Sequence, residues 1–296
     1  MKIGIAGTGK MCTAIGERLM AEGEALVVWN RTRERTKPLA DAGAAVAASP
    51  AELAGAADVV IVILTDAPAI NAVYRGEDGL LTGNVAGRLF IEMSTVRPET
   101  ARQLAADVRA RGAAFVEAPV GGSTGPAREG KLLALVGGDD ADVASARPIL
   151  EKLCRRVEHV GPVGAGSSFK LAINLPLDIY WQALGEAFSL CVQHGVDPAR
   201  MAELFSDTSG GPAVMKIRHG LVAAAMKGEK VVGTVDLDAL RKDMRAMLDE
   251  AETLGVELPV TALTLACYDA AASAGLGALD PVNETAWWSK EAAQTR

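Results

Sequence analysis

A change of pattern near the middle of the chain constrains the fold most. Before residue 164, short apolar segments alternate with helical periodicities, whereas after residue 174 only helical periodicities remain. Alternating strands and helices are typical of a parallel sheet covered by helices. A length of 296 residues is enough for two domains of ordinary size. We therefore predict an α/β domain at residues 1–163 and an all-α domain at residues 164–296.

The first apolar segment is followed at once by a glycine-rich turn and a helical pattern. Residues 2–6 are mostly apolar, and Gly7-Thr8-Gly9-Lys10-Met11-Cys12 comes next. Strand, glycine turn and helix in this order are the context of a dinucleotide-binding fingerprint. Gly7 would permit the tight turn, and Gly9 would let the pyrophosphate approach the helix N-terminus. Cys12 replaces the third glycine and is small enough to keep helix and strand close. The sequence predicts a Rossmann-type domain.

The residues after the second predicted strand bear on the choice of cofactor. An NAD-binding domain places a carboxylate about 20 residues past the glycines, where it binds the ribose hydroxyls. Here that place is held by Asn30-Arg31-Thr32, which supplies hydrogen-bond donors. Arg31 could pair with a 2′-phosphate through a charge-assisted fork. The alternative is a charged turn that leads into the next helix. We predict a preference for NADP(H) over NAD(H).

Five successive predicted strands end in small, polar or glycine residues. Besides the first two, these ends are Thr65-Asp66, Ser94-Thr95 and Gly121-Gly122-Ser123. Each turn alone could simply connect two elements. In a parallel sheet, however, the carboxyl ends of the strands share one edge, and ligands bind at that edge. Because all five strand ends carry such residues, we predict a ligand site at the carboxyl edge of the sheet.

The segment at the change of pattern, residues 164–174, carries a lysine and an asparagine four residues apart. On a helix, this spacing puts Lys170 and Asn174 on one face. A cation and an amide at a domain junction could bind a small polar ligand. The alternative is a glycine-rich linker whose lysine faces water.

One long helix is predicted from residue 167 to residue 194, with Pro176 expected to kink or break it. Its apolar residues spread around much of its surface, so it should be buried on most sides. One small helical domain would supply too little cover for these residues. We therefore predict a homo-oligomer of closed symmetry, a dimer or a tetramer.

Composition excludes several classes of function. The net charge of −7 and the lack of a basic stripe argue against nucleic-acid binding. No apolar run has transmembrane length, and the chain begins with a strand pattern in place of a signal peptide. The four cysteines and three histidines are dispersed, so we expect no metal site. Scattered thiols fit a reducing cytoplasm better than a disulfide framework.

Four motifs together resemble the β-hydroxyacid dehydrogenases over essentially the whole chain. They are Gly7-Thr8-Gly9-Lys10-Met11, Glu117-Ala118-Pro119-Val120-Gly121-Gly122, the segment 164–174 and Lys242-Asp243. This family includes 3-hydroxyisobutyrate dehydrogenases, tartronate semialdehyde reductases and glyoxylate/succinic semialdehyde reductases. The resemblance implies hydride transfer between NADP(H) and a small β-hydroxy acid or the matching semialdehyde or oxo acid.

The resemblance also implies roles for individual residues. The cofactor-binding residues would be Gly7, Thr8, Gly9, Lys10, Met11, Asn30, Arg31, Thr32, Leu64, Thr65, Thr95 and Lys242. The substrate carboxylate would be held by Gly121, Gly122 and Ser123. Lys170 would be the catalytic acid/base, and Asn174 would orient the substrate.

Two departures from the family pattern bear on substrate choice. Gly121 stands where the family usually has a serine, and Ile173 stands where it usually has the first of two asparagines. Two other functions remain open, an NADPH-dependent imine reductase and a non-catalytic nucleotide-binding scaffold. Imine reductases usually lack a lysine at the position of Lys170, and a scaffold would be expected to lose it. Because the chain keeps Lys170, the sequence favours the dehydrogenase.

Overall fold

The computed structural model of the protein describes residues 1–290. Its internal contacts divide the chain into two compact units, Met1–Ala172 and Ile173–Arg296. The division falls inside one helix, Ala165–Ser189.

The first unit is built on a nine-stranded sheet within the described residues. The strands are β1 Lys2–Ala6, β2 Ala25–Trp29, β3 Ala45–Val46, β4 Val59–Val62, β5 Leu89–Glu92, β6 Ala114–Glu117, β7 Val120–Gly121, β8 Leu132–Gly137 and β9 Cys154–Gly161. Their order is β3-β2-β1-β4-β5-β6-β8-β7, and β9 pairs with β8. All pairs from β3 to β6 are parallel, whereas β8 runs antiparallel to β6 and β7. The predicted α/β fold is confirmed.

Helices cover both faces of this sheet. They are α1 Lys10–Ala21, α2 Lys37–Asp41, α3 Pro50–Ala56, α4 Ala67–Arg75, α5 Pro98–Ala110, α6 Thr124–Arg128 and α7 Asp140–Leu153. Successive strand residues point to opposite faces. Ile3 and Ile5 therefore join one buried cluster with α1 and α7, while Ala6 joins the other with α3, α4 and α5. This packing places the five predicted strand ends on one edge of the sheet.

The second unit is helical throughout its described part. The long helix α8 Ala165–Ser189 enters it and is followed by α9 Pro198–Ser206, α10 Ala213–Met226, α11 Leu237–Leu254, α12 Pro259–Ala271 and α13 Val282–Lys290. On α11, the buried residues Leu237, Leu240, Met244, Met247 and Ala251 form a core stripe. The predicted all-α fold of this half is also confirmed.

The long helix differs from its prediction at both ends. It begins at Ala165 and ends at Ser189, and a separate 3-10 turn spans Val192–His194. The amides of Leu190 and Cys191 bond to carbonyls three residues back, at 3.2 and 3.0 Å, which tightens the chain and ends the helix. Pro176 lies inside the helix without breaking it.

Candidate active site

The glycine turn has the backbone that the fingerprint requires. Gly7 has a φ of 98°, and a side chain there would meet the carbonyl oxygen of Ile63 at 2.7 Å. Its amide donates to the carbonyl of Trp29 at 2.8 Å, which ties the turn to the end of β2. At Gly9 a Cβ would meet nothing within 4 Å. The turn is therefore closed toward the protein at Gly7 and open at Gly9, just before α1 begins at Lys10.

A buried hydroxyl in this turn fits a bound dinucleotide. Thr8 is 4% exposed, and within residues 1–290 its Oγ1 has no hydrogen-bond partner. A phosphate oxygen at the N-terminus of α1 would supply the missing acceptor. Met11 is half-buried and packs against the core. Cys12 is buried and directs its thiol to the carbonyl of Ile63 at 3.5 Å. Burial raises the pKa of the Cys12 thiol to about 12, so its role is packing.

The segment after β2 divides into a structural residue and an exposed pair. The Asn30 side chain accepts from the Thr8 amide at 3.0 Å and donates to the Thr32 carbonyl at 2.9 Å. Asn30 thus braces the glycine turn. Arg31 and the Thr32 side chain are exposed beside it, at the place where a cofactor's adenosine ribose lies in this fold.

A serine side chain links the ends of β4 and β5. The Leu64 amide donates to Ser94 Oγ at 2.8 Å, so the two loops are held together. Leu64 and Thr95 are half-buried, and Thr65 is exposed. The hydroxyl of Thr65 lies 3.4 Å from Asp66, whose side chain caps α4.

A buried acid underlies these loops. Glu92 closes β5 and accepts from Tyr74 Oη at 3.0 Å and from the Ser94 amide at 2.9 Å. Burial raises the pKa of the Glu92 carboxyl to about 7. The hydrogen bonds from Ser94 and Tyr74 oppose this rise. In the sequence, a carboxylate at the end of an otherwise apolar strand is the pattern that indicates such a buried acid.

The glycines after β6 have different structural requirements. Gly122 has a φ of 125°, and a side chain there would meet Leu132 at 2.7 Å, so glycine is obligatory. At Gly121 a Cβ would make only ordinary contacts with Leu133, the nearest at 3.8 Å. Neither packing nor backbone therefore demands glycine at 121. Ser123 is exposed and precedes α6.

Lys170 lies in the second turn of α8 and is half-buried. The N-terminus of this helix is fastened to the end of β6 by Glu117, which accepts hydrogen bonds from Gly164, Gly166 and Ser167. The carboxyl edge of the sheet thus gathers the glycine turn, the Leu64 and Ser94 loops and the helix that carries Lys170.

The remaining predicted residues form a polar cluster within the second unit. Asn174 Nδ2 donates to Asp243 Oδ2 at 3.5 Å. Lys242 Nζ lies 2.9 Å from the other carboxylate oxygen of Asp243, whose side chain is 14% exposed. Lys242 and Asp243 lie off the core stripe of α11, and Asp243 interacts with both Lys242 and Asn174.

Residues 1–290 lack the features of two other classes of site. They contain no group of three or more His, Cys, Asp or Glu residues placed to hold a metal ion. None of their helices combines the length and apolarity needed to cross a membrane.

Comparison with known proteins decides the family. Residues 2–161 match the model described as the NAD binding domain of 6-phosphogluconate dehydrogenase. Residues 164–285 match the model described as NAD-binding of NADP-dependent 3-hydroxyisobutyrate dehydrogenase. The chain is 33% identical to a 3-hydroxyisobutyrate dehydrogenase of Pseudomonas aeruginosa, over 88% of this chain and 89% of that one. The chain belongs to the β-hydroxyacid dehydrogenase family. The resemblance stated from the motifs is therefore confirmed.

Proteins similar to this chain differ in their cofactor. An NAD-dependent L-serine dehydrogenase of Pseudomonas aeruginosa is 31% identical over 90% of this chain and 91% of its own. The solved structure of Psf3 in complex with NADP+ and 2-OPP is 29% identical, covers 96% of this chain and 98% of its own, and has a TM-score of 0.85. A reductive aminase of Aspergillus terreus, solved with NADPH and ethyl levulinate, shares the fold at 23% identity and a TM-score of 0.64, with 97% and 99% of the two chains covered. Membership of the family implies a nicotinamide cofactor but does not select NAD or NADP.

Proposed function

We propose that the protein is an oxidoreductase that transfers a hydride between NADP(H) and a small β-hydroxy acid or the corresponding semialdehyde or oxo acid. The observation that carries the proposal is the carboxyl edge of the sheet, where the glycine turn follows β1 and the base of the Lys170 helix is bonded to the end of β6. Family membership and the activities named for its relatives support it.

Residues of the first unit fit the cofactor and supply its contacts. The open backbone at Gly9 and the unpaired hydroxyl of Thr8 would receive the pyrophosphate at the start of α1. Leu64, Thr65 and Thr95 would border the nicotinamide half. The nicotinamide supplies or accepts the hydride when the cofactor is bound.

Lys170 would exchange the proton that accompanies hydride transfer. Reduction of a carbonyl leaves an alkoxide, which takes a proton from the lysine ammonium, and oxidation returns that proton to the neutral amine. Gly121, Gly122 and Ser123 would hold the substrate carboxylate, and Asn174 would orient the substrate. Lys242 would close over the cofactor. The missing side chain at Gly121 would leave room for a substituent on the substrate.

A substrate panel tests the proposed reaction. Small aldehydes, oxo acids, bulkier analogues with an extra alkyl group, and cyclic imines are each assayed with NADPH and with NADH. We expect reduction of aldehydes or oxo acids that carry a carboxylate. Activity on imines alone would favour an imine reductase. The chain shares its fold with the reductive aminase. Cofactor binding without turnover of any compound would favour a scaffold.

The cofactor preference is tested at Arg31. Its guanidinium is exposed beside the braced glycine turn, so Arg31→Ala should remove a charge-assisted contact to the 2′-phosphate, worth about 1.5–3 kcal/mol. We expect NADPH affinity to fall about tenfold or more, with little effect on NADH. Titration of cofactor fluorescence measures both. Arg111→Ala is the control, because it removes the same charge from the turn before β6, at the opposite edge of the sheet. Equal losses for both cofactors at Arg31→Ala would contradict the assignment.

We also propose that the chain assembles into a homodimer or homotetramer. Two large apolar side chains of α8, Phe169 and Ile173, are 50% and 47% exposed in the single chain. A helix expected to be buried on most sides therefore keeps apolar surface that another copy could cover. Light scattering at micromolar concentration should give a multiple of the chain mass, and a monomer mass would refute the proposal.

A further inference from the structure

Glu117 is a buried acid with an unusually complete set of donors. It is the last residue of β6 and is 1% exposed. Its Oε1 accepts from the amides of Gly164 and Gly166, the latter at 2.9 Å. Its Oε2 accepts from the Ser167 amide at 3.2 Å and from the Ser167 hydroxyl. Both oxygens of the carboxylate are therefore engaged by one short segment.

That segment is the start of α8. The first amides of a helix have no partner inside the helix, and they carry the positive end of its dipole. A cap normally comes from the residue just before the helix. Here it comes from a strand 47 residues earlier in the chain. The carboxylate thus joins the helix to the sheet as well as satisfying its amides.

The surrounding backbone leaves this carboxylate no freedom to shift. A side chain at Gly137 would run into Glu117 Oε1 and the carbonyl oxygen of Pro162. A side chain at Gly166 would meet the carbonyl oxygen of Leu135 at 2.5 Å. Only glycine fits at both positions, so β8 and α8 close tightly around the Glu117 carboxylate.

We propose that Glu117 is a positioning residue for Lys170. Lys170 follows Ser167 by three residues, so the rotation and height of the first turn decide where its ammonium lies. Loss of the cap would let this turn shift, and a misplacement of about 1 Å can lower a rate about 10²-fold. The inference rests on the proposed role of Lys170 as the proton donor.

A double-mutant cycle tests the proposal. Glu117→Gln keeps the size of the side chain but turns an NH₂ toward amide donors. We expect kcat to fall about 10- to 100-fold, with the Kd for NADPH within about twofold, because the glycine turn is untouched. In the background of Lys170→Ala, the same change should have little further effect on single-turnover rates, since the two residues act as a unit.

A matched control separates positioning from general loss of stability. Asp197 caps α9 through the amides of Ala199 and Arg200 and is not among the residues assigned to the reaction. Asp197→Ala removes this cap, so it should lower the unfolding temperature but leave kcat near the wild-type value. Glu117→Asp keeps the carboxylate on a shorter stem and should retain more activity than Glu117→Gln. If Glu117→Gln does not fold, Glu117→Asp takes its place in the cycle and should show the same coupling.

Each outcome is decisive. Wild-type kcat in Glu117→Gln, or an equal loss in the wild-type and Lys170→Ala backgrounds, would overturn the positioning role while leaving the proposed function intact. Wild-type turnover in Lys170→Ala alone would remove the lysine from the mechanism, and both assignments would fall together.

Discussion

Replacing Lys170 with alanine is expected to lower turnover about 10²–10⁴-fold, the usual contribution of a positioned acid or base. The binding of NADPH should change little, because the glycine turn and the Asn30 brace belong to other elements. Steady-state rates in both directions and a cofactor titration measure the two effects. Lys227→Ala is the control, since it removes an exposed lysine after α10 that pairs only loosely with Asp197, at 3.8 Å. Near wild-type turnover in Lys170→Ala would show that the proton comes from elsewhere.

The pH dependence of the two directions follows from the same role. Reduction needs the ammonium form of Lys170, and oxidation needs the neutral amine. Oxidation should therefore rise with pH while reduction falls, both through one shared apparent pKa. A lysine ordinarily has a pKa of about 10.4, so a midpoint closer to neutrality would indicate an environment that disfavours the cation. Different midpoints for the two directions would contradict a single shared group.

The parts of the site that could be predicted from sequence depend on local pattern. Gly7 and Gly9 follow a strand and precede a helix, and that context alone predicts the turn. The shared edge of the strand ends follows from the rule for parallel sheets, applied to segments such as those ending at Thr65 and Thr95. Family resemblance then placed Lys170 and Asn174 within a motif.

The parts that were missed depend on partners far apart in the chain. Glu117 meets Ser167 across 50 residues, and Ser94 meets Leu64 across 30. Nothing in either local segment shows that these side chains bond to each other. The Asn30 amide was assigned to the cofactor as a donor, yet it also braces Thr8 from 22 residues away. Such contacts appear only once the strands are in register.

A second buried acid has no such partners. Glu284 on α13 is fully buried, and within residues 1–290 neither of its carboxyl oxygens accepts or donates a hydrogen bond. Burial raises the pKa of Glu284 well above its usual range, and the negative charge of Glu186 raises it further. Burial therefore favours the neutral form of Glu284 in the folded protein.

This arrangement makes the free energy of unfolding depend on pH. Below the carboxyl pKa of the unfolded chain, Glu284 is protonated in both the folded and the unfolded state, so it does not make the free energy of unfolding depend on pH. Above that pKa, unfolding releases a proton, so each further unit of pH lowers stability by about 1.4 kcal/mol until the folded pKa is reached. The stability that the neutral form contributes is thus present in acid and lost as pH rises.

Glu284→Gln should remove this dependence, because the amide has no proton to release over that range. We expect the variant to be nearly as stable as the wild type at pH 4 and more stable at pH 8, by about 1.4 kcal/mol for each pH unit in that range by which the folded pKa exceeds the unfolded one. Denaturant unfolding of both proteins from pH 4 to pH 8 measures the difference. Glu203→Gln on α9 is the control, since it makes the same substitution at an exposed position. Parallel stability curves for the wild type and Glu284→Gln would mean that the folded protein already ionises Glu284, and that a bound partner for its carboxylate exists in solution.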